Sequence, residues 1–507
     1  MRRRRARLPR ASRRQIHRYA LLHWRFFERF VGPETNWLAP DNFQEAPEPV
    51  TAMRTSPTNL GLQLLATVSA HDLGFLSAER LVVLLERIFA SLERLPRFRG
   101  HFYNWYDLTD LSVLEPAYLS TVDSGNLAGH LIAVRQACLT LPDDLVPGHR
   151  APRAVATALA IAGKRVAALA SPSPTQTASD RRSLVEAGTK LREARRALEP
   201  HDDLDPGAAL ASIGAPLEEA LALIDSTELP AAATEPAREW IDWSIRLISE
   251  AARSGDSAPG TLRQRAAESE TARELVRRLE VIAEQAHTYA MEMEFGFLLE
   301  PDRQLLAIGY QLSSHSLDAS SYDLLASEAR LASFVAIAKG DLPARHWFRL
   351  GRSVTAIGHG AALISWSGSM FEYLMPSLVM RAPQGSLVEQ TARLIVQRQI
   401  AYGAKLGVWG ISESAYNIRD LEFTYQYSNF GVPGLGLKRG LGDNAVIAPY
   451  ATALAAMVDP RAAVSNFEQL ARVGARGRYG FYEALDYTPV RVQEGKSFAV
   501  VRAFMAH

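Results

Sequence analysis

The sequence has almost no cysteine, no excess charge and no long apolar run. A single cysteine in 507 residues leaves no internal disulfide to form, so the chain is not a disulfide-stapled secreted module. Basic and acidic residues number 56 and 55, a net charge of +1, which gives no reason to expect a polyanionic partner and disfavours nucleic acid. The basic start, Met1–Arg5, resembles the first part of a secretory signal, but the stretch from Leu21 to Arg29 carries charge where an apolar segment is required. The weakly polar stretch Val155–Ala170 is broken by Lys164-Arg165 and falls short of the roughly 20 residues that cross a bilayer, so no membrane span is expected. Cys138, in the mostly apolar stretch Leu131–Leu139, reads as a small buried thiol, since its neighbours show no pattern of His and basic residues that would lower its pKa.

Several chemistries are missing as well. Gly434–Gly440 has the wrong spacing for a dinucleotide fingerprint and no βαβ context, so it is a turn. The 12 histidines contain no H-E-x-x-H, no cysteine-backed pair exists, and there is no G-x-S-x-G elbow. No metal and no cofactor are expected. His71, His101 and His130 read as structural or substrate-contacting.

What is present is helical. Residues 183–198, Ser77–Leu95 and Leu387–Lys405 repeat apolar residues at three- and four-residue steps with strong helix formers, and strand signals are scarce. Between about 146 and 275 the only aromatic residues are Trp240 and Trp243, and breakers at Ser171–Pro174 and Asp203–Gly207 divide that segment into amphipathic helices. It reads as an insertion. The flanking parts alternate helices with polar-aromatic loops, which suggests an all-α toroid with loops at one end lining a cleft. The expected boundaries are a basic segment at 1–24, a first part of the ring at 25–145, the insertion at 146–275 and a second part at 276–507.

Trp, Tyr, Asn, Gln, Asp and Glu interleaved over short loops form the composition that holds sugars, since aromatic faces stack on pyranose rings while amides and carboxylates bond the hydroxyls. Glycoside chemistry requires two carboxyl groups. Glu328, Glu372 and Glu413 all lie in aromatic-polar surroundings; Asp323 lies five residues before Glu328, and on one helix the two would face different sides. Periodicity and composition do not rank these carboxylates, and each also fits a helix cap or a buried ion pair.

The loops themselves resemble a known family. Thr35–Glu45, Arg54–Asn59, Phe98–Tyr106 and Val122–His130, then Tyr322–Arg330, Trp366–Pro376 and Ile411–Asn417, closely resemble the glucoamylase-like central domain of bacterial cyclic β-1,2-glucan synthases, similar to glycoside hydrolase family 189. These motifs cover roughly 25–145 and 285–507. The resemblance implies an (α/α)6 toroid and a retaining transglycosylase that closes or redistributes linear β-1,2-glucan, with Glu413 as nucleophile and Glu328 as general acid/base. It implies substrate contacts from Trp37, Asn42, Gln44, Arg54, Tyr103, Asn104, Trp105, Asp123, Asn126, Asp323, Trp366, Glu372, Tyr373, Tyr416, Asn417 and Tyr427. The expected partners are the glucan and other domains of a synthase, and the expected location is cytoplasmic, at the cytoplasmic face of the inner membrane if the chain is part of a full-length synthase. An inverting hydrolase and a non-catalytic glucan-binding or truncated module are the alternatives. Two departures from the family stand out: Val408 is followed directly by Trp409 where the family carries a proline between them, and Ala503–His507 lies inside a motif that the family continues, so an incomplete ring is expected.

Overall fold

A computed structural model describes residues 8–144, 148–172, 176–199, 205–255 and 260–506. The Met1–Arg5 run, much of the two breaker segments and the boundary at 145/146 lie outside the described residues. The fold is mostly helical, 55% helix against 14% strand, with no closed sheet barrel among the described residues. Helix starts are written in the sequence. Ser56, Ser77 and Ser120 cap α2 (Pro57–Asp72), α3 (Ala78–Arg94) and α4 (Thr121–Thr140), each side chain accepting the N–H three residues on. Ser386 caps α15 (Leu387–Gly403) in the same way, and Asp459 caps α17 (Pro460–Arg472).

The first half of the ring packs α2, α3 and α4 with α11 (Glu270–Glu292) and α12 (Arg330–Lys339) around Leu64, Leu85, Leu127, Leu279 and Leu331. Cys138 is buried in this cluster and its thiol is pushed up to about 12 by burial. The second half packs α14 (Met370–Leu374), α15, α16 (Pro449–Ala455) and α17 around Met370, Ile395, Ile411, Leu454 and Phe467. The short α13 (Arg345–Arg349) follows α12. Tyr19 of α1 (Arg10–Phe30) completes this second cluster, and the opposite side of the same helix packs on a third.

That third cluster is a bundle of α5 (Arg150–Leu169), α6 (Ala178–Ala197), α7 (Pro206–Ser212), α8 (Gly214–Asp225) and α9 (Ala231–Ser254). Pro206–Asp225 is long and apolar enough to cross a membrane by length and composition, but it forms two helices that break at Ile213, with Leu210, Ile213, Leu217 and Ile224 buried in the bundle. After the short α10 (Leu262–Arg265), α11 runs as one rod against α3 and α4. The boundary expected at 24/25 falls inside α1, and the one expected at 275/276 falls inside α11, where Ala272, Leu275, Val276 and Leu279 all lie in the first-half core.

Loops at one end are tied by two- and three-residue strands. Arg54–Thr55 pairs with Tyr106–Asp107, Tyr118–Ser120 with Gly309–Gln311, and Asn42–Gln44 with Ala503–Met505, joining the first loops to the last. The hairpin Ser414–Arg419/Tyr425–Ser428 stands beside them. Glycine sets the spacing at one point. A Cβ on Gly125 would meet Ala332 at 2.3 Å, so α12 lies against α4 only because this position has no side chain. That approach brings the start of α12 to the start of α4.

Candidate active site

The turn just before α12 carries Glu328 and the start of α4 carries Asp123 and Asn126; the residue before the hairpin at 414–428 is Glu413, which lines the same cleft. Residues 321–329 are not helical, so Asp323 and Glu328 do not share a helix, and Asp323 is exposed outside the cleft. The turn bearing Glu328 is pinned by Arg330, a buried cation whose Nη1 donates to Ser327 O (3.0 Å) and Glu372 O (3.0 Å) and whose Nη2 donates to Tyr373 O (2.7 Å). Glu413 is held through its neighbours. The Gln399 amide bonds both the N–H and the C=O of Ile411 (2.8 and 2.7 Å), the Tyr450 hydroxyl donates to Glu413 O (2.9 Å), and Ala415 N–H donates to Glu483 Oε1 (3.1 Å).

Between these carboxylates lies a cleft of about 340 Å³, within the range of small-molecule sites. Asn42, Gln44, Arg54, Trp105, Asp123, Asn126, Glu328, Glu413 and Tyr427, all sequence-derived candidates, line it together with Asp41. Its polar wall is connected. Thr58 Oγ1 donates to Asp123 (2.5 Å) and accepts from Asn126 Nδ2 (3.1 Å), and Asn104 directs its amide nitrogen to Asp123 Oδ2 (3.3 Å) and its oxygen to the indole N–H of Trp105 (3.2 Å). Asp41 accepts from Asn42, Asn59 and Arg54, whose guanidinium also lies 4.7 Å from the Trp105 ring centre.

Electrostatics make the two glutamates unusual. Burial, then the negative charge of Glu372 and Asp123, push Glu328 up to about 8, with Arg330 partly opposing. Burial, then Glu328, Glu372 and Asp123, hold Glu413 well above the ordinary carboxylate range. Two such groups shed their protons as a pair, and the second proton leaves reluctantly. Local donors decide where the first charge settles. Glu413 receives long contacts from the Tyr427 hydroxyl (3.5 Å) and Asn429 Nδ2 (3.4 Å), whereas Glu328 Oε2 is buried without a hydrogen-bond partner. Glu413 thus has donor contacts that Glu328 Oε2 lacks, and a cleft holding one protonated and one ionised carboxyl can supply an acid and a nucleophile or base.

Other candidates face elsewhere. Glu372 is saturated by the protein: its carboxylate accepts from Ser365 Oγ (2.6 Å), Ser367 N–H (3.0 Å) and Gly368 N–H (3.1 Å), while Ser369 and Glu372 form the capping box of α14. Tyr373 is buried, its hydroxyl donating to Leu363 O and Leu435 O. Trp37 lies under Arg87, 3.9 Å from its ring centre, and lines a separate cavity between α1, α3 and α9. Tyr103 packs on the first-half core, and Trp366 is exposed and not in the cleft. Tyr416 and Asn417 pack and bond with Arg491. Gln44 lines the cleft but spends its amide on Phe423 O and Tyr425 N–H, fastening the hairpin.

Residues outside the expected set also matter. Asp41 lay unremarked within the Pro40-Asp41-Asn42 loop that was already singled out. Glu483 is buried, raised to about 8 chiefly by desolvation, and accepts from the backbone two residues past Glu413; no local pattern marks it. Among the described residues no cluster of His, Cys, Asp or Glu could hold a metal ion.

Residues 320–507 match the Glycoamylase family model, described as "Putative glucoamylase". The chain is 46% identical over 502 residues to the cyclic β-(1,2)-glucan synthase NdvB of Rhizobium meliloti (strain 1021), a match covering 97% of the chain and 17% of that protein. The chain thus spans under a fifth of the length of that curated relative. Among solved structures it is similar to an endo-β-1,2-glucanase from Chitinophaga pinensis in complex with sophorotriose and glucose, with TM-score 0.56 and 11% identity over 99% of this chain and 90% of that one. A β-1,2-glucanase from Parabacteroides distasonis gives TM-score 0.55 and 12% identity over 98% of this chain and 55% of that one. The fold is accordingly the glucoamylase-like α/α toroid, and the resemblance read in the loops extends along nearly the whole chain.

Proposed function

We propose that the chain is a retaining glycoside-hydrolase-type transglycosylase acting on linear β-1,2-glucan, working as one unit of a longer cyclic glucan synthase. The observation that carries the reading is the pair Glu328 and Glu413, both raised and electrostatically linked across one cleft that is also lined by Trp105, Asp123 and Asn126, residue types suited to holding a sugar. The extent and degree of identity to a cyclic β-(1,2)-glucan synthase support the substrate.

In the first step Glu328 donates its proton to the glycosidic oxygen as that bond breaks, and a Glu413 carboxylate oxygen bonds the anomeric carbon, giving a glucosyl ester and a shortened chain with a free hydroxyl. Glu328, now ionised, takes the proton of an acceptor 2-hydroxyl; that oxygen bonds the anomeric carbon as the ester breaks and Glu413 leaves as carboxylate. An acceptor on the same chain closes a ring, one on another chain redistributes length, and water gives hydrolysis. We also propose residence at the cytoplasmic face of the inner membrane, beside the other domains of the synthase, on the family resemblance.

The test is incubation with linear β-1,2-glucan, with cyclic and redistributed products read by mass spectrometry. NMR of the first-formed reducing end follows the anomer. Rings or redistributed chains with a β product are expected; an α product would mean inversion, and unchanged activity of Glu413→Gln would remove the assignment.

A further inference from the structure

A second chamber of about 450 Å³ adjoins the carboxylate cleft, and the two share Arg54 and Trp105 as common wall. Its remaining polar lining includes Asn104, Tyr118, Gln311 and Asp318. The wall is firmly built. Tyr118–Ser120 and Gly309–Gln311 pair as antiparallel strands with Gln311 opposite Tyr118, the Tyr118 hydroxyl donates to Asp318, and Asn104 N–H donates to Tyr118 O (2.8 Å). Asn104 also links the chamber to the cleft, because the same amide touches Asp123 and the Trp105 indole.

The lining selects against an anionic ligand. Its one cation, Arg54, is committed to Asp41 and to the Trp105 face, while Glu115 and Asp318 add carboxylates. Hydroxyl donors, and C–H groups against the indole, are what such a surface binds.

We infer that this chamber holds glucosyl units of the same glucan chain remote from the bond being broken, and that it sets chain-length preference, with Trp105 as the post past which the chain turns. The inference rests on the β-1,2-glucan reading. A chain that must return its own end to the cleft gains from being held beyond a bend, since the effective concentration of that end rises when the span is fixed. Short chains fill only the cleft.

Gln311→Ala and Asp318→Asn test this, the second keeping an acceptor for Tyr118. Rates are measured on linear β-1,2-glucans from the shortest chain turned over to chains several times longer, with thermal unfolding confirming the fold. Each variant should lower kcat/KM on long chains about tenfold, mostly through KM, as loss of one or two hydrogen bonds predicts, and should leave the shortest substrate within about twofold. An equal effect at every length, or none, overturns the inference. Calorimetric titration of the Glu413→Gln protein with the same glucans separates the two proposals. If the wild type fails to turn glucan over yet the blocked protein binds long chains more tightly, and Gln311→Ala closes that gap, the catalytic reading falls and the chamber stands; no binding at any length overturns both.

Discussion

Replacing Glu372 distinguishes a scaffold role from a substrate contact. Its carboxylate is the acceptor for the Ser365 hydroxyl and for the N–H groups of Ser367 and Gly368, all in buried surroundings. Glu372→Ala leaves the Ser365 hydroxyl and the Ser367 N–H without that acceptor, while the Gly368 N–H keeps Ser365 Oγ at 2.8 Å; at roughly 1–3 kcal/mol for each orphaned group, with some relief from water entering the gap, the loss should be roughly 2–4 kcal/mol. The variant should therefore unfold at a clearly lower denaturant concentration. Glu372→Gln keeps the shape and one oxygen, so it should cost less, but it removes a negative charge that raises both Glu328 and Glu413. Its pH–rate profile should show the alkaline limb moved to lower pH, because Glu328 then ionises more easily. Denaturant unfolding followed by fluorescence, beside rate profiles on linear β-1,2-glucan, checks both effects. A Glu372→Ala protein with unaltered unfolding midpoint and a raised KM would refute the reasoning and return this residue to the substrate.

Further expectations follow from the same site. With Glu328 raised to about 8, activity should persist through neutral pH and fall above about 8 as the acid loses its proton, and Glu328→Gln should lower the rate on unactivated glucan by about 10²–10⁴-fold. For Glu483, also raised to about 8, the unfolded carboxyl ionises first as pH rises, so its contribution is complete below about 4.5 and is lost by about 8. Glu483→Gln should flatten the fall of stability between those limits by up to about 1.4 kcal/mol per pH unit, measured by denaturant unfolding at several pH values. Arg330→Lys cannot span the carbonyls of Ser327, Glu372 and Tyr373, and should reduce kcat and thermal stability together, measured by rates on linear β-1,2-glucan beside thermal unfolding.

What the sequence by itself determined is what depends on neighbours along the chain. Ser56, Ser77, Ser120 and Ser386 start their helices through bonds three residues away, and the loops 35–45, 98–106 and 411–417 carry their polar-aromatic character in consecutive residues. The aromatic-poor stretch likewise marked the helices that form a bundle of their own, although α1 and α11 each bury both sides of a boundary that composition had drawn through them. Only the tertiary structure decided how the carboxylates divide. Glu328, Glu372 and Glu413 have equivalent local surroundings in sequence, but three buried donors close around Glu372, while Glu328 keeps an unpartnered oxygen and Glu413 faces it across a cleft. Likewise Trp37 and Trp105 look alike in their loops, yet one lies under Arg87 away from the cleft and the other divides two chambers. The physical reason is that capping and periodicity act within a helical turn, whereas desolvation and charge coupling depend on side chains brought together across the ring, and a linear pattern does not contain that distance.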